Sequence, residues 1–170
     1  SVGFYGCNFR CPFCQNYTIS QHTEESALRT SPSSLVRQAL RTGSFGIAYT
    51  YSEPLVHFEY VMDTAKEARK AGLKNVLVSN GYLNPEPTEE LLPFLDAANI
   101  DLKAWSEEFY RREVKGSLQP VLEFIRRASK RIHLEVTTLV IPGVNDDPDE
   151  IEEAARFLAS LNRKIPYHLT

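Results

Sequence analysis

Cysteine is missing from most of this chain: none follows position 14, although the sequence runs for 170 residues. The three cysteines that are present lie in one short stretch, with no distant cysteine to pair with. A disulfide framework is therefore not expected, and an odd, clustered set of thiols favours a reducing compartment and a metal or redox role. We expect a cytoplasmic protein.

Long apolar runs and an excess of positive charge are also missing. No stretch reaches about 18 apolar residues and no signal peptide is present, so nothing predicts a membrane segment. The formal net charge is -3, and no Lys/Arg run is long enough to follow a phosphate backbone. Nucleic acid is therefore not the expected partner, although a folded RNA or a protein substrate stays open.

What the sequence does contain is an alternation of short β-like runs and amphipathic helices. Strands are predicted over 2–5, 46–51, 75–79, 99–103, 133–141 and 167–169. Helices are predicted over 32–42, 56–71, 89–97 and 118–130, and from residue 148 onward. This rhythm is typical of βαβ units and a mostly parallel sheet. We expect residues 1–170 to form one domain, the core of a longer protein that is cut at both ends.

Polar or glycine-containing strings follow most of the predicted strands. In a (β/α) barrel such strings meet at the carboxyl ends of the strands, where barrel enzymes assemble their active sites. An open doubly wound sheet would concentrate them at one switch point instead. A complete eight-unit barrel typically needs ~250 residues. We therefore predict an α/β fold, a partial (β/α)6-type TIM barrel.

The cysteines, Cys7, Cys11 and Cys14, are spaced C-x3-C-x2-C. Thiolates are soft ligands that suit iron–sulfur clusters or zinc. Three of them can hold a [4Fe–4S] cluster whose fourth iron is open to another ligand. A structural zinc site needs a fourth protein ligand, for which His22 is nearest. We predict the cluster, and the alternative is a non-catalytic zinc- or cluster-binding module on the same fold.

The cysteine spacing, with the aromatic Phe13 just before the last cysteine, resembles the cluster motif of the radical S-adenosylmethionine (SAM) superfamily. Five strings are similar to its pyruvate formate-lyase-activating-enzyme-like branch, at residues 6–16, 49–54, 79–81, 101–103 and 142–146. They are most similar to the radical SAM enzyme of the AmmeMemoRadiSam system. The resemblance covers essentially the whole chain and implies a partial or complete (β/α) barrel.

The resemblance implies an oxidoreductase that binds a [4Fe–4S] cluster and SAM. SAM would chelate the open iron through its amino and carboxylate groups, and one electron would cleave its sulfonium–C5′ bond. The resulting 5′-deoxyadenosyl radical would abstract a hydrogen atom from the substrate. The cofactors carry this chemistry, while the protein orients them and excludes water. Implied partners are a reductant such as flavodoxin or ferredoxin and a substrate of unknown identity, with a glycyl-radical enzyme as one candidate.

The resemblance also implies SAM contacts after the second strand. Ser52 and Glu53 stand where the family has a Gly-Gly-Glu-Pro-like motif that contacts the SAM amino group, and a carboxylate suits an ammonium group. Tyr51 and Ser52 replace the two glycines, which restricts how closely the backbone can approach. An ordinary strand-to-helix turn is the alternative explanation.

Asp101 and Lys103 are two residues apart on the fourth predicted strand, so both point to one face while Ile100 and Leu102 point to the other. Charged side chains inside a barrel are costly unless they are paired or liganded. In the family a lysine here contacts the SAM carboxylate, and the aspartate lies beside the cofactor. A structural Asp–Lys pair is the alternative.

Five further residues complete the SAM site that the resemblance implies: Asn16, Ser79, Thr137, Leu139 and His168. The histidine belongs to a Pro-Tyr-His string, which in the family lies near the adenosyl end of SAM. Each of the five also has an ordinary explanation, as a loop cap, a turn or a strand residue. The family carries an acidic residue before the Ser-Asn-Gly string, but this sequence has Val78 there, so that contact is not carried over.

Overall fold

The fold is known from a computed structural model, which describes residues 1–21 and 27–170. Six strands form one sheet in the order β1-β2-β3-β4-β5-β6, and each neighbouring pair is parallel. The strands are β1 (Val2–Gly3), β2 (Gly46–Thr50), β3 (Lys74–Ser79), β4 (Ala97–Asp101), β5 (His133–Thr138) and β6 (Tyr167–Leu169). Each new strand adds at the same edge, without the reversal of order that defines a doubly wound sheet. The predicted partial (β/α)6 barrel is confirmed.

Helices connect the strands. They are α1 (Tyr17–Ser20), α2 (Pro32–Arg41), α3 (Phe58–Lys70), α4 (Pro85–Leu91), α5 (Glu107–Phe109), α6 (Leu118–Ala128) and α7 (Pro148–Leu161). Short 3-10 turns at Pro54–His57 and Leu92–Phe94 precede α3 and follow α4, and a π-helical segment at Tyr110–Val114 follows α5. Within the described residues, no helix is long and apolar enough to cross a membrane.

Two helices begin at a capping residue that is followed by proline. The Ser31 hydroxyl accepts a hydrogen bond from the Ser34 amide, and Pro32 occupies the first position of α2. The Asp147 carboxylate caps α7 in the same way, with proline again in the first position. A proline suits this position because its missing N–H has no intrahelical partner there.

The start of α4 was predicted wrongly. The sequence predicted a helix over 89–97, but α4 begins at Pro85, directly after Asn84. Thr88 is buried inside the first turns, where its hydroxyl donates to the Asn84 carbonyl oxygen. The chain passes into a 3-10 turn around Pro93, which has no backbone N–H to continue the α-helical hydrogen bonds.

The strands present two different faces. Residues facing the helices are fully buried, including Leu77, Ile100 and Val136, and they form one core with the apolar sides of α3 and α6. Burying an aliphatic side chain of this kind contributes about 1.5–3 kcal/mol. The alternate residues face the inside of the sheet and stay partly exposed. The core therefore lies on the helix side, and the inner side is free to carry polar groups.

Candidate functional site

A cavity of about 250 Å³ opens at the carboxyl ends of the strands. Of the predicted site residues, those that line it are Cys7, Cys11, Cys14, Asn16, Ser52, Glu53, Asp101, Lys103, Thr137 and Leu139. Ser79 and His168 do not line it. The strand ends therefore bring most of the predicted residues to one place, as the barrel prediction required.

The cysteine loop is anchored by Phe9. Its ring is buried and packs against Tyr82 and Tyr110, with ring centroids 4.9 and 5.8 Å apart. A Cβ atom on Gly116 would lie 2.4 Å from the Phe9 ring, so only glycine leaves room for it. Helix α5 and the π-helical segment thus support the cysteine loop. No sequence pattern predicted either of these segments. π-helical turns are frequent at functional sites.

The three thiols are free and half-buried. Burial raises the pKa of the Cys11 thiol to about 11, and it also raises the pKa of Cys7. Both thiols therefore hold their protons at neutral pH until a metal displaces them. As donors, three soft sulfur atoms on one cavity wall fit an iron–sulfur cluster.

A cluster and a single metal ion place different demands on the geometry of their ligands. Among residues 1–21 and 27–170, no three His, Cys, Asp or Glu side chains are grouped so that they could hold one ion. Zinc needs its ligands at about 2.0–2.3 Å from one centre, whereas a [4Fe–4S] cluster gives each thiolate its own iron. His22, the nearest candidate for a fourth zinc ligand, lies outside the described residues.

Glu53 is fully buried at the bottom of the loop that follows β2. One carboxylate oxygen accepts from the Leu55 amide at 2.9 Å and the Ser79 hydroxyl at 2.7 Å, and the other accepts from the Asn80 amide at 2.8 Å. Burial raises the pKa of Glu53 to about 6. All three of these donors are neutral, so the carboxylate suits a cationic group of a ligand in the cavity.

Ser79 was predicted to contact the cofactor, but its position gives it a different neighbour. It is buried on the helix-facing side of β3 and donates to Glu53. Strand alternation explains this placement, because Ser79 faces away from the side that Val78 and Asn80 share.

The residues that replace the family's two glycines adopt a glycine-like backbone. Tyr51 and Ser52 have φ angles of 54° and 57°, in the left-handed region. This conformation costs a non-glycine residue roughly 1–2 kcal/mol. The Ser52 hydroxyl and the Glu53 amide both donate to the Gly6 carbonyl oxygen, which offsets part of that cost. The loop after β2 is thereby tied to the start of the cysteine loop.

Asp101 and Lys103 form an ion pair at the cavity wall, with 2.8 Å between Lys103 Nζ and an Asp101 oxygen. Ile100 and Leu102 are fully buried on the opposite face, as strand alternation predicted. Burial lowers the pKa of Lys103, but the neighbouring Asp101 carboxylate outweighs it and the pKa is raised. Lys103 therefore stays cationic, and both residues line the cavity.

Asn145, within the string at 142–146, fixes the backbone around this pair. Its buried amide nitrogen donates to the carbonyl oxygens of Lys103 at 2.7 Å and Leu139 at 2.9 Å. Its oxygen accepts from the Ile141 amide at 2.7 Å. The end of β4 and the loop after β5 are therefore held together by one side chain.

The His168 side chain contacts Glu135 and does not line the cavity. Its Nε2 atom lies 2.8 Å from one Glu135 oxygen, and the other Glu135 oxygen lies 3.1 Å from His133 Nε2. Hydrogen bonds from the two histidines lower the pKa of Glu135. His168 pairs in register with Thr137, which does line the cavity. A contact of His168 with SAM stays a prediction.

Asn80 is a cavity residue that the sequence analysis did not select. It is 5% exposed, lines the cavity and places its Nδ2 atom 3.8 Å from Cys7 Sγ. The alternation of β3 contained the necessary signal, because a residue two after Val78 had to face the inside. Asn16 also lines the cavity, and its side chain does not cap α1, which follows it.

Comparison with known proteins gives a consistent result. Residues 1–158 match the Radical SAM superfamily. An uncharacterized protein of Methanocaldococcus jannaschii is 40% identical over 100% of this chain and 51% of its own length. The pyruvate formate-lyase 1-activating enzyme of Escherichia coli K12 is 27% identical over 97% of the chain and 72% of its own length. The chain thus spans about half the length of the first of these relatives.

A solved structure shares the fold. Streptococcus suis SuiB, in its crystal structure bound to S-adenosylmethionine, superposes with a TM-score of 0.75 over 98% of this chain and 39% of that one. The sequence identity is 14%, so the likeness shows the fold alone. It agrees with the partial barrel built from the strand order.

Proposed function

We propose, because this chain belongs to the radical SAM superfamily and to its pyruvate formate-lyase-activating-enzyme-like branch, that it is the catalytic core of an activating-type radical SAM enzyme. Members of the superfamily use a [4Fe–4S] cluster and SAM. In this proposal residues 1–170 are the radical SAM core domain, and Cys7, Cys11 and Cys14 hold the cluster. The finer resemblance to the AmmeMemoRadiSam enzyme stays a prediction.

One observation supports the proposal most directly: three free thiols, carboxylate groups and the Lys103 ammonium group line the same cavity. SAM presents an ammonium group and a carboxylate group beside each other. The buried Glu53 carboxylate, bonded by neutral donors, suits the ammonium, and the cationic Lys103 suits the carboxylate. Few other ligands would need soft sulfur donors and both charges within one cavity.

When bound, the cluster and SAM supply reductive cleavage of SAM and a 5′-deoxyadenosyl radical that abstracts hydrogen. The chain's own residues bind and orient. Lys103 is kept cationic by Asp101 and is held in place through its carbonyl oxygen by Asn145. The loop at Tyr51–Ser52, tied to Gly6, shapes the wall beside Glu53. Thr137 and Leu139 form the wall at the end of β5.

The partners belong to the proposal too. The activating enzymes among the relatives support a protein substrate, and one relative is described as a putative glycyl-radical enzyme activating enzyme. To this the proposal adds a glycyl-radical enzyme as the candidate substrate and flavodoxin or ferredoxin as the reductant. A membrane or nucleic-acid partner is not part of it. Cysteine thiols that must stay reduced in order to bind a cluster fit a cytoplasmic location.

The test uses the full-length protein, reconstituted with iron and sulfide without oxygen. We expect about four irons per chain and release of 5′-deoxyadenosine on addition of dithionite and SAM. One tightly bound zinc and no iron would contradict the proposal. An intact cluster that releases no 5′-deoxyadenosine would favour the non-catalytic module.

Lys103→Ala tests the recognition of SAM separately. We expect full iron content and at least tenfold weaker SAM binding in equilibrium titration. The reason is that the buried, hydrogen-bonded charge pair between the Lys103 ammonium and the SAM carboxylate would be lost. Lys74→Ala is the matched control, because Lys74 pairs with Asp96 near the opposite ends of the strands. Unchanged SAM affinity in Lys103→Ala would assign Lys103 a structural role.

A further inference from the structure

We propose that Asn80 donates a hydrogen bond to the cluster ligand Cys7 and thereby raises the reduction potential of the cluster. The inference rests on the proposed function, because it requires the cluster to be bound. It goes further by assigning a role to a side chain that neither the cysteine motif nor the SAM contacts include.

The placement of the Asn80 amide supports this role. Its Nδ2 atom lies 2.8 Å from Asn8 Oδ1 and 3.8 Å from Cys7 Sγ. An amide nitrogen carries two hydrogens, so it can donate to both acceptors at once. Asn80 is 5% exposed, which limits competition from water.

The orientation of the amide is fixed by its other contacts. The Tyr82 backbone amide lies 2.8 Å from Asn80 Oδ1, and since an N–H group can only donate, the oxygen must face it. The nitrogen is then left on the side of Cys7. Asn8 is fixed in turn, because its own nitrogen donates to the Tyr82 carbonyl oxygen at 3.1 Å. Neither side-chain amide can be flipped without losing a hydrogen bond.

The backbone of Asn80 is held as firmly as its side chain. Its N–H donates to Glu53, whose other carboxylate oxygen is bonded to Ser79 and Leu55. The next residue, Gly81, has a φ of +68°, and a Cβ there would lie 3.0 Å from Ile100. The turn after β3 therefore has little freedom to withdraw the amide from the sulfur.

A donor aimed at a ligand sulfur has a predictable electrostatic effect. Reduction adds negative charge to a cluster, and an N–H dipole at the sulfur stabilises that charge. Hydrogen bonds to the sulfur atoms are among the factors that set cluster potentials. The Phe9 amide also donates to Cys7 Sγ, at 3.3 Å, but only proline would remove this backbone group, and it would remove the buried Phe9 ring as well. Asn80 acts through Cys7, so it is a positioning residue.

The experiment measures the potential itself. Asn80→Ala and Asn80→Asp are prepared in the full-length reconstituted protein and titrated without SAM, with the reduced cluster followed by electron paramagnetic resonance. For Asn80→Ala we expect the equilibrium constant for reduction to fall about tenfold, which is about 59 mV for a one-electron couple. Asn80→Asp keeps the acceptor for Tyr82 but adds negative charge, so we expect a larger fall.

Asn84→Ala is the control, because Asn84 is an exposed asparagine four residues further on, it does not line the cavity, and its side chain makes no cap hydrogen bond with α4. We expect its potential to match that of the wild type. Full iron content with unchanged potentials in both Asn80 variants would overturn the inference alone, as would loss of iron from both. A wild-type protein that takes up no iron would overturn the proposed function and the inference with it.

Discussion

At the residue scale, Glu53 connects the parts of the site. It is buried with three neutral donors, two of them at the end of β3, and it lines the cavity itself. An ionised carboxylate in this position is costly, which is why burial raises its pKa to about 6. The same cost makes a cationic ligand group favourable there.

Glu53 should therefore make the metal-free protein less stable as the pH rises. The folded pKa of about 6 lies above the ordinary value of 4.5 for a glutamate, so the folded state binds the proton more tightly between these values. The protonated Glu53 contributes about 2 kcal/mol to the free energy of unfolding. This contribution is fully present below about pH 4.5 and is lost as the pH rises through about 6.

The variant Glu53→Gln isolates this effect. The glutamine side chain carries no charge at any pH. Any hydrogen bonds that the substitution removes are removed equally at every pH. Relative to wild type, the variant should therefore gain about 2 kcal/mol of unfolding free energy between pH 4.5 and pH 7.5. Urea unfolding of both metal-free proteins at the two pH values measures the difference. A difference that does not change with pH would mean that the ionised form is not destabilised.

At the element scale, the sequence predicted the regular elements better than the irregular ones. The strands β2 to β6 and helices α2, α6 and α7 follow from apolar periodicity and capping residues, and each was placed within a few residues. The segments α5 and Tyr110–Val114 were missed because five residues or fewer carry no periodicity to detect. These are the segments that seat the cysteine loop.

Gly116→Ala tests that seat. The added methyl group would displace the buried Phe9 ring, so we expect a loss of about 1–3 kcal/mol in unfolding free energy and a lower iron content after reconstitution. Gly3→Ala is the matched control, since its methyl group would meet Tyr51 at an ordinary 3.4 Å. Adding Phe9→Leu to Gly116→Ala should recover part of the stability. Equal effects at Gly116 and Gly3 would count against the role of the π-helical segment.

At the scale of the whole molecule, the alternation of strands and helices, together with the polar strings after the strands, was enough to predict the partial barrel and the end of the sheet at which the candidate site lies. The residues within the site were harder to predict, because their neighbours come from other strands. Ser79 and Asn80 show this: adjacent in sequence, they face opposite sides of β3, and only the inner one reaches the cavity. The partner of His168 likewise depends on strand pairing.

The partial burial of Cys11 predicts that the cluster can be lost without loss of the fold. The core lies between the sheet and the helices, whereas Cys11 is only partly buried at its margin. Cys11→Ala should abolish cluster retention, yet change the unfolding free energy of the metal-free protein by less than about 1 kcal/mol. Iron analysis and urea unfolding followed by circular dichroism measure the two effects. Global unfolding of this variant would show that the Cys11 side chain is needed for the fold, and wild-type iron content would show that Cys11 is not a cluster ligand.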